Sequence, residues 1–219
     1  MDSAVIFDVD GVLLELTQPE EDAFFLPFAR RHGLTALSRD WDSYAVRNDE
    51  HIIAEILERH GLPASVHQAI VADYLALLSA GLSSGDLRAV EIEGARGLLA
   101  SLSHMKLGIA TANLLSAAKL RLATRDLWAP VSTLAFGAEG SGHKRETVAR
   151  AIAATGLPKS RIVYVGDNLN DVEAGLSNGV HFIGFSEDAA RRERLQAAGA
   201  QHLAGHHGET LALVSGLLK

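Results

Sequence analysis

Cysteine is absent from this chain of 219 residues. That excludes disulfides, zinc-thiolate centres and cysteine nucleophiles, and leaves oxygen and imidazole to hold any metal. No apolar run approaches the ~18 residues of a membrane-spanning helix, and no basic region precedes the first apolar segment. Neither a membrane span nor a secretory leader is therefore expected, and the expected location is the cytoplasm. Positive charge is also in deficit. With 20 Lys and Arg against 27 Asp and Glu the formal net charge is -7, which argues against a nucleic-acid surface but permits a few local cations around a small anion. Internal repeats and low-complexity tracts are lacking as well. A chain with 47% hydrophobic and 21% charged residues can bury a core without staples, as one sizeable α/β domain or as a core domain with a smaller companion.

The most informative stretch runs from Ala4 to Val12. An apolar segment of strand length stops at Asp8, a second carboxylate follows at Asp10, and Gly11 lets the backbone turn. In a parallel α/β sheet ligands gather beyond the carboxyl ends of strands, so Asp8 is placed at a binding rim. Taken alone, an Asp-x-Asp reads more readily as a solvated strand end, because such tripeptides are common. Its later partners decide the matter.

From about Glu15 to about Gly85 the pattern is helical. Glu20 to His32 ends at Gly33, Asp49 to His60 ends at Gly61, and Pro63 opens a third run through Tyr74, Leu77 and Leu78, the punctuation expected of helices. Pro27 is expected to kink or split the first of them. Some 70 residues without a strand are too many for a crossover connection, so residues 15–85 read as a separate helical domain inserted after the first strand.

Beyond residue 86 strands and helices alternate. Gly94 to His104 reads as helix, Lys106 to Thr111 as strand, Leu114 to about Thr124 as helix and Ser132 to Phe136 as a short strand. A helix from about Arg145 to Thr155, a strand from Arg161 to Gly166, a helix from Asp171 to Ser177 and a strand from Val180 to Phe185 follow. Ala189 to Ala198 and Glu209 to Leu218 close the chain as helices. The alternation implies an α/β fold with a parallel sheet covered on both faces.

Three further features fall where they can join Asp8 and Asp10. Thr111 ends the second core strand within Ala-Thr-Ala-Asn, where its hydroxyl and the next backbone N–H can hold an anionic oxygen. Lys144 stands at a helix start, an unfavourable place for a cation unless an anion is near. The preceding loop, Gly137 to Gly142, has the glycine spacing of a nucleotide-binding P-loop. It fails in detail, because His143 occupies the lysine position and Arg145 follows Lys144 where Ser or Thr is needed. Finally, Val163-Tyr-Val-Gly-Asp167-Asn-Leu-Asn-Asp171 is a second apolar strand ending in a carboxylate, with another carboxylate about one helical turn on. Two acidic strand ends make a hard-cation site suited to magnesium.

In this order the four segments resemble the haloacid dehalogenase-like hydrolase superfamily over nearly the whole chain. Asp8-Val-Asp10-Gly-Val matches the first motif, Thr111 the second, Lys144 the third and Gly166-Asp167-x-x-x-Asp171 the fourth. The resemblance implies a Rossmann-like core, residues 1–14 and 86–219, with an all-helical C1 cap at 15–85 that selects substrates. Within the cap, Arg47-Asn48-Asp49 is similar to the Gly-x-Thr-Asp segment of phosphoglycolate-phosphatase-like members, though the glycine and threonine are missing. The Lys-Pro-x-Pro frequent in the third motif is here Lys144-Arg-Glu-Thr.

What the resemblance implies is a magnesium-dependent phosphatase acting on a small phosphorylated metabolite through an aspartyl-phosphate. Asp8 is then the nucleophile and Asp10 the acid and base. The metal set is Asp8, Asp10 through its backbone carbonyl, Asp167 and Asp171, the last orienting Lys144 or a metal-bound water. Thr111, Ala112, Asn113 and Lys144 bind the phosphoryl group, while Arg47, Asn48 and Asp49 set specificity beside a hinge at Glu15 to Gln18. A halide leaving group needs no proton and an alkoxide does, so Asp10 favours phosphatase over dehalogenase. Two alternatives remain: a phosphomutase of the β-phosphoglucomutase kind, and a phospho-accepting signalling module, which leaves Asp10 and the helical insert unexplained.

Overall fold

Strand β1 (Ala4–Phe7) is buried at every position, because it lies between two parallel neighbours and both of its faces are covered. A computed structural model describes residues 2–219. Val5 and Phe7 point into one apolar cluster and Ala4 and Ile6 into the other, the two-sided burial that explains an uninterrupted apolar run. After β1 the chain forms β2 (Leu14–Glu15), then the helices α1 (Gln18–His32), α2 (Asp49–Arg59) and α3 (His67–Ser84), and returns through β3 (Val90–Glu91). There follow α4 (Ala95–Ser101), β4 (Lys106–Ala110), α5 (Leu115–Ala123), α6 (Trp128–Val131), β5 (Ala135–Phe136), α7 (Lys144–Thr155) and β6 (Ile162–Gly166). The chain closes with α8 (Leu169–Asn178), β7 (His181–Phe185), α9 (Ala189–Ala197), β8 (His202–Ala204) and α10 (His207–Leu217).

Six strands form a parallel sheet in the order β5-β4-β1-β6-β7-β8, with helices on both faces. The α/β class with an inserted helical segment is what the sequence led us to expect. No strand interrupts residues 18–84 among the described residues. The insertion has its own apolar cluster, built on Phe24, Phe28, Ile52, Ile56, Ile70 and Leu78 and completed by Leu114 and Ala117 at the start of α5. It is therefore packed against the helix that follows the second sheet strand. Pro27 lies inside α1 without ending it.

Several short elements differ from expectation. Glu15, assigned to the helical run, pairs with Val90 in a two-stranded antiparallel ribbon that joins both ends of the insertion. The strand expected from Ser132 begins only at Ala135. Ser132 donates its hydroxyl to Ala129 O at 3.0 Å, which prolongs the α6 turn into a 3-10 turn over Ser132–Leu134. Strand β8 was not anticipated, since three residues carry no readable period. The segment Ala64–Ser84, a 3-10 turn running into α3, has an 18-residue window of mean hydropathy 1.2 and is long and apolar enough to cross a membrane by length and composition alone. Here it packs its Ile70, Tyr74 and Leu78 into the insertion's own cluster.

Candidate active site

Because β4, β1 and β6 are adjacent and parallel, their carboxyl ends bring Thr111, Asp8 and Asp167 to one rim. Two glycines let the backbone close around these groups. Gly11 has φ +74, and a Cβ there would stand 2.2 Å from Asp167 Oδ2. At Gly166 a Cβ would stand 2.3 Å from the Cβ of Asp171. Any side chain at either position would displace a carboxylate, which gives a physical reason for both motif glycines.

Lys144 opens α7 and is buried, with Nζ 2.7 Å from Asp8 Oδ1 and 3.1 Å from Asp171 Oδ1. The anions that a lysine at a helix start requires are thus in place. Asp171, the third residue of α8, is wholly buried and already satisfied: it accepts from Tyr164 Oη at 2.5 Å and from the backbone N–H groups of Asp167 and Asn168 at 3.2 and 3.1 Å. Its Oδ1 also faces the Lys144 ammonium. Asp8 accepts from the N–H of Val9 at 2.7 Å. Asp167 Oδ2 lies 2.9 Å from Nη1 of Arg191, a half-exposed side chain on α9.

Oxygens of Asp8, Asp167 and Asp171 all lie within 4.8 Å of one another. Burial drives the Asp8 carboxyl well above the usual range despite the pull of Lys144. It likewise pushes Asp167 up to about 7, with Asp171 adding to the rise and Arg191 opposing it. Burial works against the charge on Lys144 as well, but Asp171 and Asp8 outweigh it and the ammonium is held charged. Acidic charge is thus in excess in a place with little water to screen it. An all-oxygen donor set of this kind fits a small hard divalent cation such as magnesium. The side chain of Asp10 stands outside that cluster, at 2.7 Å from Arg121 Nη1. Any part it takes in metal binding falls to its backbone carbonyl.

Thr111 Oγ1 accepts from the N–H of Asn113 at 3.1 Å. The insertion reaches this same loop. Asp49 donates its N–H to Ala112 O at 3.0 Å and accepts from the N–H of Leu114 at 2.8 Å. Asn48 donates to Ser141 O and Gly142 O at 3.2 and 2.6 Å, so the glycine-rich loop that imitates a P-loop serves as a dock for the insertion. Asn48 and Asp49, expected to face a substrate, spend their hydrogen bonds on this docking. Arg47 is partly exposed and pairs with Asp42 at 2.9 Å. All three still line a cavity of about 580 Å³ that extends from Asp8 to Phe24, Trp41 and Tyr74 of the insertion.

Sequence reasoning missed Arg191, Tyr164 and, above all, Arg121. That guanidinium is buried in the cavity wall, ion-paired to Asp10 and to Glu20. A signal was available: Leu114, Ala117, Ala118, Arg121 and Leu122 share the buried face of α5, and a charge on an apolar helix stripe demands a partner.

Residues 5–185 match the family model described as haloacid dehalogenase-like hydrolase. The chain belongs to the haloacid dehalogenase-like hydrolases. Among solved structures of this fold, CbbY from Rhodobacter sphaeroides in complex with phosphate aligns with a TM-score of 0.77 at 21% identity, over 98% of this chain and 100% of that one. A predicted phosphatase from Clostridium acetobutylicum aligns at 0.72 and 19% identity, over 99% of each chain. A family hydrolase from Deinococcus radiodurans with bound phosphate and sodium aligns at 0.63 and 19% identity, over 99% and 96%. Among curated proteins none matches the sequence. As a haloacid dehalogenase-like hydrolase the chain is an enzyme, and its four motif segments meet at the carboxyl rim of the sheet.

Proposed function

We propose that this hydrolase is a magnesium-dependent phosphatase acting on small phosphomonoesters, with Asp8 as nucleophile. The observation that carries the reading is the buried lysine-carboxylate cluster at the end of β1, opening into a cavity of about 580 Å³, large enough for a metabolite. An Asp8 carboxylate oxygen forms the bond to phosphorus as the ester oxygen leaves with a proton from Asp10. Water then attacks the aspartyl-phosphate, gives its proton to Asp10 and releases phosphate. Two modest barriers replace one high barrier. Asp8, the backbone carbonyl of Asp10 and Asp167 would hold the magnesium, with Asp171 behind them. Bound there, the ion neutralises the repulsion between carboxylate and phosphoryl oxygens. Thr111, Ala112, Asn113 and Lys144 hold the phosphoryl oxygens. Residues 15–85 act as the cap over a core of residues 1–14 and 86–219, and Arg47, a partly exposed cation of the cap that lines the cavity, reads the leaving group.

Phosphate release from a panel of phosphorylated metabolites tests this reading. Release is expected with magnesium and lost in excess chelator. Full turnover in chelator would remove the metal from the reaction. Isomerisation of a sugar phosphate without net phosphate release would give the chain to the mutases.

A further inference from the structure

Arg121 is 2% exposed and every arm of its guanidinium is used. Nε donates to Glu20 Oε1 at 2.8 Å, Nη2 to Glu15 O at 2.8 Å and to Glu20 Oε2 at 3.4 Å, while Nη1 donates to Asn113 Oδ1 at 3.5 Å and stands 2.7 Å from Asp10 Oδ1 as an ion pair. Glu20 is itself fixed: its Oε2 accepts from the N–H of Thr17 at 3.0 Å and from the Thr17 hydroxyl at 2.9 Å, which anchors the first turn of α1. One planar cation on a core helix therefore touches the loop after β1, the strand β2 that leads into the insertion, and the first helix of the insertion. Burial of a lone arginine with two carboxylates is costly and gives little net stability over an apolar triplet. Its fork does supply a fixed geometry that a lysine cannot reproduce.

We infer that Arg121 is the positioning residue for Asp10, and that through Glu20 it makes the placement of that acid-base group depend on how α1 is seated. The inference rests on the phosphatase reading of the site. A displaced acid harms a reaction in proportion to how much its leaving group needs a proton. Alkoxides need it and a nitrophenolate does not.

The test uses the full chain with magnesium, carrying Arg121→Lys, Glu20→Gln, Asp10→Asn and the pairwise combinations of the first two with the third. kcat/KM is measured for phosphate monoesters running from alkyl to para-nitrophenyl leaving groups. Arg121→Lys and Glu20→Gln are each expected to lower the alkyl esters by about 10 to 10²-fold more than the aryl ester, the scale of a misplaced catalytic group. Neither is expected to add to the loss already caused by Asp10→Asn. A uniform loss across leaving groups, or full additivity with Asp10→Asn, would overturn the inference while leaving the phosphatase reading intact. Inactivity of the unmodified protein on every ester would take down both. Should Arg121→Lys fail to fold, Glu20→Gln carries the test, because the amide retains the shape of the carboxylate at the helix start.

Discussion

Asp8 and Asp10 are separated by one residue yet occupy different electrostatic surroundings. Asp8 shares a buried lysine with Asp171, whereas Asp10 faces an arginine on the opposite wall. Different surroundings permit different work from the same side-chain chemistry. Asp10→Asn retains the nucleophile but has no proton to exchange, so turnover of an alkyl phosphate is expected to fall by about 10² to 10⁴-fold. With para-nitrophenyl phosphate the first step is spared, and a burst of nitrophenol followed by a slow steady rate is the expected trace. Phosphate trapped on a residue other than Asp8 would relocate the nucleophile. The motif residues were legible because each interrupts an apolar pattern at a strand end or helix start. Arg121 and Arg191 were not read, since their partners Asp10 and Asp167 stand more than 20 positions away in sequence; the charge on the apolar face of α5 was a local signal for Arg121 but did not name its partner.

At the scale of elements, long segments announced themselves and short ones did not. α1, α2 and α3 were legible from capping residues and spacing, and β1 and β6 from unbroken apolar runs. β2, β3 and β8 hold two or three residues each, too few for a period, and exist because neighbouring strands offer them partners. Docking of α2 on the core was equally unreadable, although it governs Asp49. Burial pushes that carboxyl from 3.8 to about 7, in spite of the hydrogen bond from Leu114 N–H. The folded chain then holds a proton that the unfolded chain has lost between about pH 4 and 7, so this group makes stability fall as pH rises through that window. Asp49→Asn keeps an acceptor for Leu114 and has nothing to titrate. Thermal unfolding from pH 4.5 to 8 is expected to show a flatter decline in the variant than in the parent, with the variant the more stable of the two at pH 8. Parallel curves would mean that Asp49 is ionised in the fold at little cost.

For the whole molecule, the sheet gathers at one rim acidic groups that the fold alone does not fully compensate. Asp8 and Asp167 both have carboxyls raised by burial, so each is expected to cost stability once the pH exceeds its unfolded value, and to cost most where it is forced to ionise. Under the proposed function a divalent cation would reverse the sign, because it would bind the ionised carboxylates and only the folded chain presents them together. Added magnesium should therefore raise the unfolding temperature little at pH 5.5 and substantially at pH 8. A ligand present at a hundred times its dissociation constant contributes about 2.7 kcal/mol. Asp167→Asn supplies the control, since it removes one buried negative charge and one of the oxygens proposed to hold the metal. That variant is expected to be more stable than the parent at pH 8 without metal and nearly indifferent to magnesium. The decisive measurement is the magnesium-induced shift at the two pH values in both proteins. A shift of equal size at pH 5.5 and pH 8, or one that survives Asp167→Asn, would place the metal elsewhere and leave the buried acids to be balanced by Lys144 and Arg191 alone.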